Sequence, residues 1–180
     1  MSRQQGVPRL LLTDNEGPNQ RLRVDVAQTG FFAGREFRTY KEWTAPTTGT
    51  YVVKIVSPVD YILFELLADI EDGSLRCETV LGGTEGGSFS ENFLIIGTNN
   101  MSSRPTPFYT PQLVATAGGT LTGGLTVDVF RIKTSGNTVK ASSVGGGASA
   151  ERGIPAGTSY LRFTLSGVVG LMAARWEERL

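Results

Sequence analysis

Short stretches of alternating apolar and polar residues, interrupted every 8–12 residues by glycine or proline, leave this chain little room for helices. Gly, Thr and Ser supply 23, 20 and 13 of its 180 residues, and β-branched and aromatic side chains recur in bursts between them. Such residues suit pleated, half-buried strands joined by turns that need positive φ. The fold class expected is all-β: an antiparallel β-sandwich or jelly-roll-like single domain over residues 21–180, with an extended N-terminal docking arm over residues 1–20. The length suits one domain able to bury a core without disulfides or metals.

The arm carries Pro8, Gly17 and Pro18 around one apolar cluster, Leu10-Leu11-Leu12. Three consecutive leucines on a free arm would expose an apolar patch, so the cluster is expected to dock on the body, a sister subunit or a partner. Arg21–Val26 then alternates as a strand with one charged face. In the aromatic-dense stretch Phe31–Trp43, alternation groups Arg35, Phe37, Thr39, Lys41 and Trp43 on one side, with Gly34 free to bend.

A turn is expected at Ala45–Gly49, followed by two largely apolar strands, Tyr51–Val56 and Tyr61–Leu67, in doubly buried positions. Asp72-Gly73 reads as a hairpin turn leading into the strand Ser74–Leu81. Further strands are expected at Phe93–Ile96, Gln112–Ala117, Leu125–Lys133 and Val139–Ser143. Ser159–Ser166 and Val168–Trp176 close the chain as a hairpin turning at Gly167. The mixed charges of Ala173–Leu180 suit a protected edge strand.

The chain contains no histidine. This excludes Ser-His-Asp and Cys-His catalysis, imidazole metal ligands and histidine pH switching. One cysteine, Cys77, permits neither an internal disulfide nor a Cys-cluster metal site, and is expected to be a buried, inert thiol. No apolar run reaches the ~18 residues of a membrane helix, and Met1–Gly6 has no apolar signal core, so a soluble, unprocessed product with no membrane partner is expected.

Seventeen basic residues balance 17 acidic ones, distributed as +7/−5 over 1–43, +2/−8 over 44–99 and +8/−4 over 100–180. None of this forms a basic stripe for a phosphate backbone, which argues against a nucleic-acid partner. Thirteen of the cations are Arg and four are Lys, a ratio that fits a chain with much contact surface.

Other motifs point to structure. Gly82–Ser88 lacks the Gly-Lys-Ser/Thr ending of a phosphate loop, and Glu85 would repel an anion. Asp69, Glu71 and Asp72 lack calcium-loop spacing and read as a solvated turn. Glu65, Glu78, Glu85 and Glu91 are formally available as hydrolytic carboxylates but lie on strand faces and turns. Trp43, Tyr40, Phe108, Tyr109 and Trp176 could offer flat rings to a host-surface glycan, although most aromatics of a small β-domain fill its core. No catalytic residue, metal ligand or cofactor is expected.

Four segments, Arg21–Arg38, Gly82–Gly87, Met101–Pro107 and Arg175–Glu178, resemble small structural proteins of tailed bacteriophages. The resemblance spans most of residues 21–178, leaves residues 1–20 outside it and supplies no catalytic residues. It implies a non-enzymatic virion component, made in the host bacterial cytoplasm, whose partners are capsid or tail proteins. Capsid decoration through the N-terminal arm is the expected role. A tail appendage (short fibre, adaptor or baseplate piece), with or without a receptor or glycan to bind, is the alternative. In either role a trimer or other homo-oligomer is expected. The contacts would come from Leu10, Leu11, Leu12, Trp43 and Tyr109, with Arg35, Arg38 and Arg104 pairing carboxylates across the interface.

Overall fold

A computed structural model describes residues 29–99, 109–134, 142–144 and 152–179. The expected arm, the strand at 21–26, Leu10–Leu12, Arg104 and Phe108 lie outside these residues. The described residues are almost entirely antiparallel β-structure, with one helical turn, α1 (Thr29–Phe32). Three strands dominate: β1 (Glu36–Ser57), β2 (Asp60–Leu81) and β11 (Gly157–Arg179), of 22, 22 and 23 residues.

β11 lies between β1 and β2 and pairs with each along nearly its whole length, from Glu36↔Glu177 to Ser57↔Gly157 on one side and from Asp60↔Arg179 to Leu81↔Ser159 on the other. The outer side of β2 is covered piecewise by β8 (Leu125–Lys133), β9 (Ser142–Val144) and β10 (Arg152–Ile154). The outer side of β1 is covered by β5 (Ile96–Gly97) and β6 (Val114–Ala117), and β4 (Glu91–Asn92) adds to β6. A separate two-stranded ribbon joins β3 (Thr84–Gly86) to β7 (Thr120–Thr122).

Each long strand bends at mid-length, so one bent sheet supplies two layers. The first layer contains 36–43, 60–70 and 170–179; the second contains 49–57, 74–81 and 157–166. Register breaks align at the bend, at Trp43/Thr47/Gly49, at Ser166/Val169/Gly170 and opposite Asp72. Gly49, Gly73, Gly167 and Gly170 all have positive φ there. At Gly73 even a β-carbon would overlap the Gly167 carbonyl, so two strands cross the corner in contact.

The expected turns at 45–49, 72–73 and 167 are therefore corners inside continuous strands. A bulge with left-handed glycine bends a strand when the segments on both sides keep a common neighbour, and here β11 is that neighbour for β1 and β2. Phe93–Ile96 shrinks to the two-residue β5, and Ile62–Leu67 is half-buried at every position, its outer side met among the described residues only by the three-residue β9 and β10. The segment expected to be an edge, Ala173–Arg179, is central, and Glu177 and Glu178 within it are fully buried. The connectivity, with β11 inserted between the first two strands, does not establish a jelly roll.

Inward residues of both layers form the main core, which includes Phe37, Trp43, Val53, Leu75, Cys77, Phe163, Leu165, Met172 and Trp176. On the other side of the second layer, Val52, Val80, Leu121 and Tyr160 form a second cluster under Phe89.

Candidate functional site

The inward alternation of the long strands builds a cavity between the layers, with a volume of about 470 Å³. The first layer contributes Thr39, Lys41, Trp43, Leu63, Met172, Ala174 and Trp176, and the second contributes Tyr51, Val53, Ile55, Ser159, Leu161 and Phe163. The volume follows from small side chains at inward positions. Ala174 stands opposite Thr39 in the β1–β11 register, while Ala115 opposite Ile55, Ser159 and Thr79 keep the facing wall shallow. At ~24 cal/mol per Å³, an enclosed void of 470 Å³ would cost about 11 kcal/mol, as much as a whole domain's stability.

Trp43, Tyr51 and Phe163 form a three-ring cluster with centroids 6.0–6.4 Å apart. Polar groups in the wall are tied down. Lys41 Nζ donates to Glu91 Oε1 at 2.6 Å, the Tyr51 hydroxyl donates to Glu91 Oε2 at 2.8 Å, and Thr39 Oγ1 donates to the Leu94 carbonyl. Burial raises the Tyr51 phenol well above its ordinary range, and its bond to the Glu91 carboxylate adds to this. Burial pushes Glu91 upward, but hydrogen bonds from Lys41 and Tyr51 outweigh it and hold the carboxyl low.

The same Lys-Glu-Tyr arrangement recurs outside the second layer. Lys54 and Tyr160 both hold Glu85, with the Tyr160 hydroxyl 2.5 Å away. These bonds keep Glu85 low, whereas burial and the bond to Glu85 push Tyr160 up to about 12. Glu78, 5% exposed, is held low by the Arg162 guanidinium at 3.0 Å and by Arg76 at 2.8 Å. Three of the four carboxylates considered for hydrolysis are thus fixed as anions, the reverse of what a general acid needs.

On the outward face of the first layer, Arg38, Tyr40, Glu42, Glu65 and Arg175 surround a shallow groove floored by Leu171 and Ala173. Arg38 is exposed and stands beside Arg175 across the β1–β11 pair, with Glu65 next in the row; Tyr40 is 55% exposed.

Of the expected contact residues among those described, only Arg38 is presented in this way. Arg35 is used within the chain, 4.0 Å from the buried Glu177, which Arg179 approaches to 3.3 Å. Trp43 is 6% exposed and belongs to the core, because the alternation that groups it with Phe37 points inward. Tyr109 is half-buried against Phe37 and near Glu178. Trp43 and Trp176 both lie in the core, so neither offers a flat face to a sugar.

Among the described residues no three acidic or thiol side chains converge to hold a metal. The small inward residues that open the cavity carry no local signal, since threonine and alanine are ordinary in strands. Compared with protein-family models, curated proteins and solved structures, the chain matches none.

Proposed function

We propose that this chain is a non-enzymatic structural protein of a bacteriophage particle, a capsid decoration protein that acts by binding its neighbours. The observation that carries the docking role is the outward groove of the first layer. It combines an exposed tyrosine, two arginines and two carboxylates over a small apolar floor, the composition favoured where protein surfaces meet. The resemblance of four sequence segments to tailed-phage structural proteins supplies the kind of particle. Intrachain pairing of Glu78, Glu85 and Glu91 adds support, because it commits their charge to tying strands to one another.

The test is co-sedimentation of the purified chain with capsids and, separately, with tails of the phage that encodes it. The full chain is compared with a version lacking residues 1–20 and with the double variant Arg38→Glu/Tyr40→Ala. Many copies of the full chain should pellet with capsids, and the double variant should fall by about tenfold or more in affinity. Loss of binding on removal of residues 1–20 assigns part of the docking to the Leu10–Leu12 segment. Binding in few copies to tails replaces decoration with a tail appendage. A monomer that pellets with neither defeats the structural reading.

A further inference from the structure

We propose that the cavity between the two sheet layers is a binding site for a small, neutral, apolar ligand. This does not rest on the docking role proposed above: the cavity shares Thr39, Tyr40 and Ala174 with the outward groove and is otherwise lined by other residues.

Size is the first argument. A cavity of about 470 Å³ is roughly three times the 150 Å³ that accommodates one benzene ring in an apolar core, and falls in the range of small-molecule sites. Its walls are the rings of Trp43, Tyr51, Phe163 and Trp176 with the aliphatic Leu63, Leu161 and Met172. Access is the second. Gly153 and Pro155 of the β10 end line the same space as Leu81 and Val127 of the β2 and β8 ends, and a β-carbon at Gly153 would meet nothing within 4 Å. Leu81 and Val127 are 39% and 50% exposed, so apolar surface continues outward from the cavity.

Charge narrows the ligand class. Lys41, the cation among the described lining residues, is already neutralised by Glu91 at 2.6 Å. A carboxylate or phosphate head would lose its hydration without gaining an available cation, so anions such as fatty acids are disfavoured.

The probe is the neutral dye N-phenyl-1-naphthylamine, titrated into the full chain and then displaced with 2-decanone or with decanoate. Saturable enhancement at one dye per chain is expected, with the ketone displacing it about tenfold more effectively than the carboxylate. Ala115→Leu and Ala174→Leu, which fill the space, should weaken dye binding about tenfold while circular dichroism and the thermal midpoint are retained. Methyl NMR shifts on the unmodified chain are expected at Met172, Ala174 and Leu161, a readout that does not depend on the variants folding.

Absence of saturable binding overturns the proposal. So does binding unchanged in folded Leu variants, or binding abolished by Leu94→Asp or Val129→Asp on the exposed surface. Equal displacement by decanoate overturns the neutral-ligand assignment.

Discussion

Glu178 shows how one side chain can join distant segments. It has no exposed surface, and its carboxylate accepts the backbone N–H groups of Gln112 and Leu113 at 2.9–3.0 Å, tying the approach to β6 onto β11. Glu178→Ala takes the acceptor from both and leaves the buried Leu113 N–H unpaired, and is expected to destabilise by about 1–3 kcal/mol in urea unfolding, with Glu178→Gln costing less than half as much. Neighbouring Glu36 titrates the other way from Glu78, Glu85 and Glu91. Burial raises it, with Glu177 adding to the rise and Arg175, 4.0 Å away, opposing it. A raised carboxyl favours the folded state below its unfolded value, and that contribution is lost as pH climbs through the folded value. Glu78, Glu85 and Glu91 are lowered, so their contribution is present above pH ~4.5 and disappears as pH falls through their folded values. Stability measured against pH should therefore fall on the acid side. Glu36→Gln should remove a decline just above pH ~4.5 and leave the acid limb in place.

At the scale of the element, the corners are the features that alternation alone misassigns. Asp72-Gly73 has the residues of a hairpin turn, and Gly167 the freedom of one, yet both lie inside strands that continue. Alternation and positive-φ residues are local properties and were legible; which strand lies alongside before and after the glycine is not local. The corners also differ in tolerance. Gly73 and Gly170 combine positive φ with backbone so close that a β-carbon overlaps it, whereas Gly49 has positive φ but open space. Thermal unfolding should show Gly49→Ala costing about 1 kcal/mol, and Gly73→Ala or Gly170→Ala 3 kcal/mol or more. Retained stability in the Gly73 variant would mean that the corner is not closely crossed.

Across the whole molecule, β11 joins both layers and both other long strands, so β1 and β2 are not united in one sheet until residues 157–179 arrive. Pairings of such long sequence separation fold slowly, in the range of milliseconds to seconds, and refolding followed by tryptophan fluorescence should fall there. A chain ending at Gly167 should show neither native β-circular dichroism nor a cooperative transition, because the first layer would lose its central strand. Strand content, the grouping of Phe37 with Trp43 on one strand face, and the burial of Cys77 were readable from alternation, since a strand's two faces are set by its own period of two. The sequence by itself determined where strands run and which side of each is apolar. Only the tertiary structure decided that three apparent turns are corners and that Trp43 faces the core instead of a partner. It also decided that Thr39, Ala174, Ala115 and Ser159 meet around an open cavity. Each of these depends on register between segments up to more than a hundred residues apart, and register arises from pairing and not from any segment's own composition.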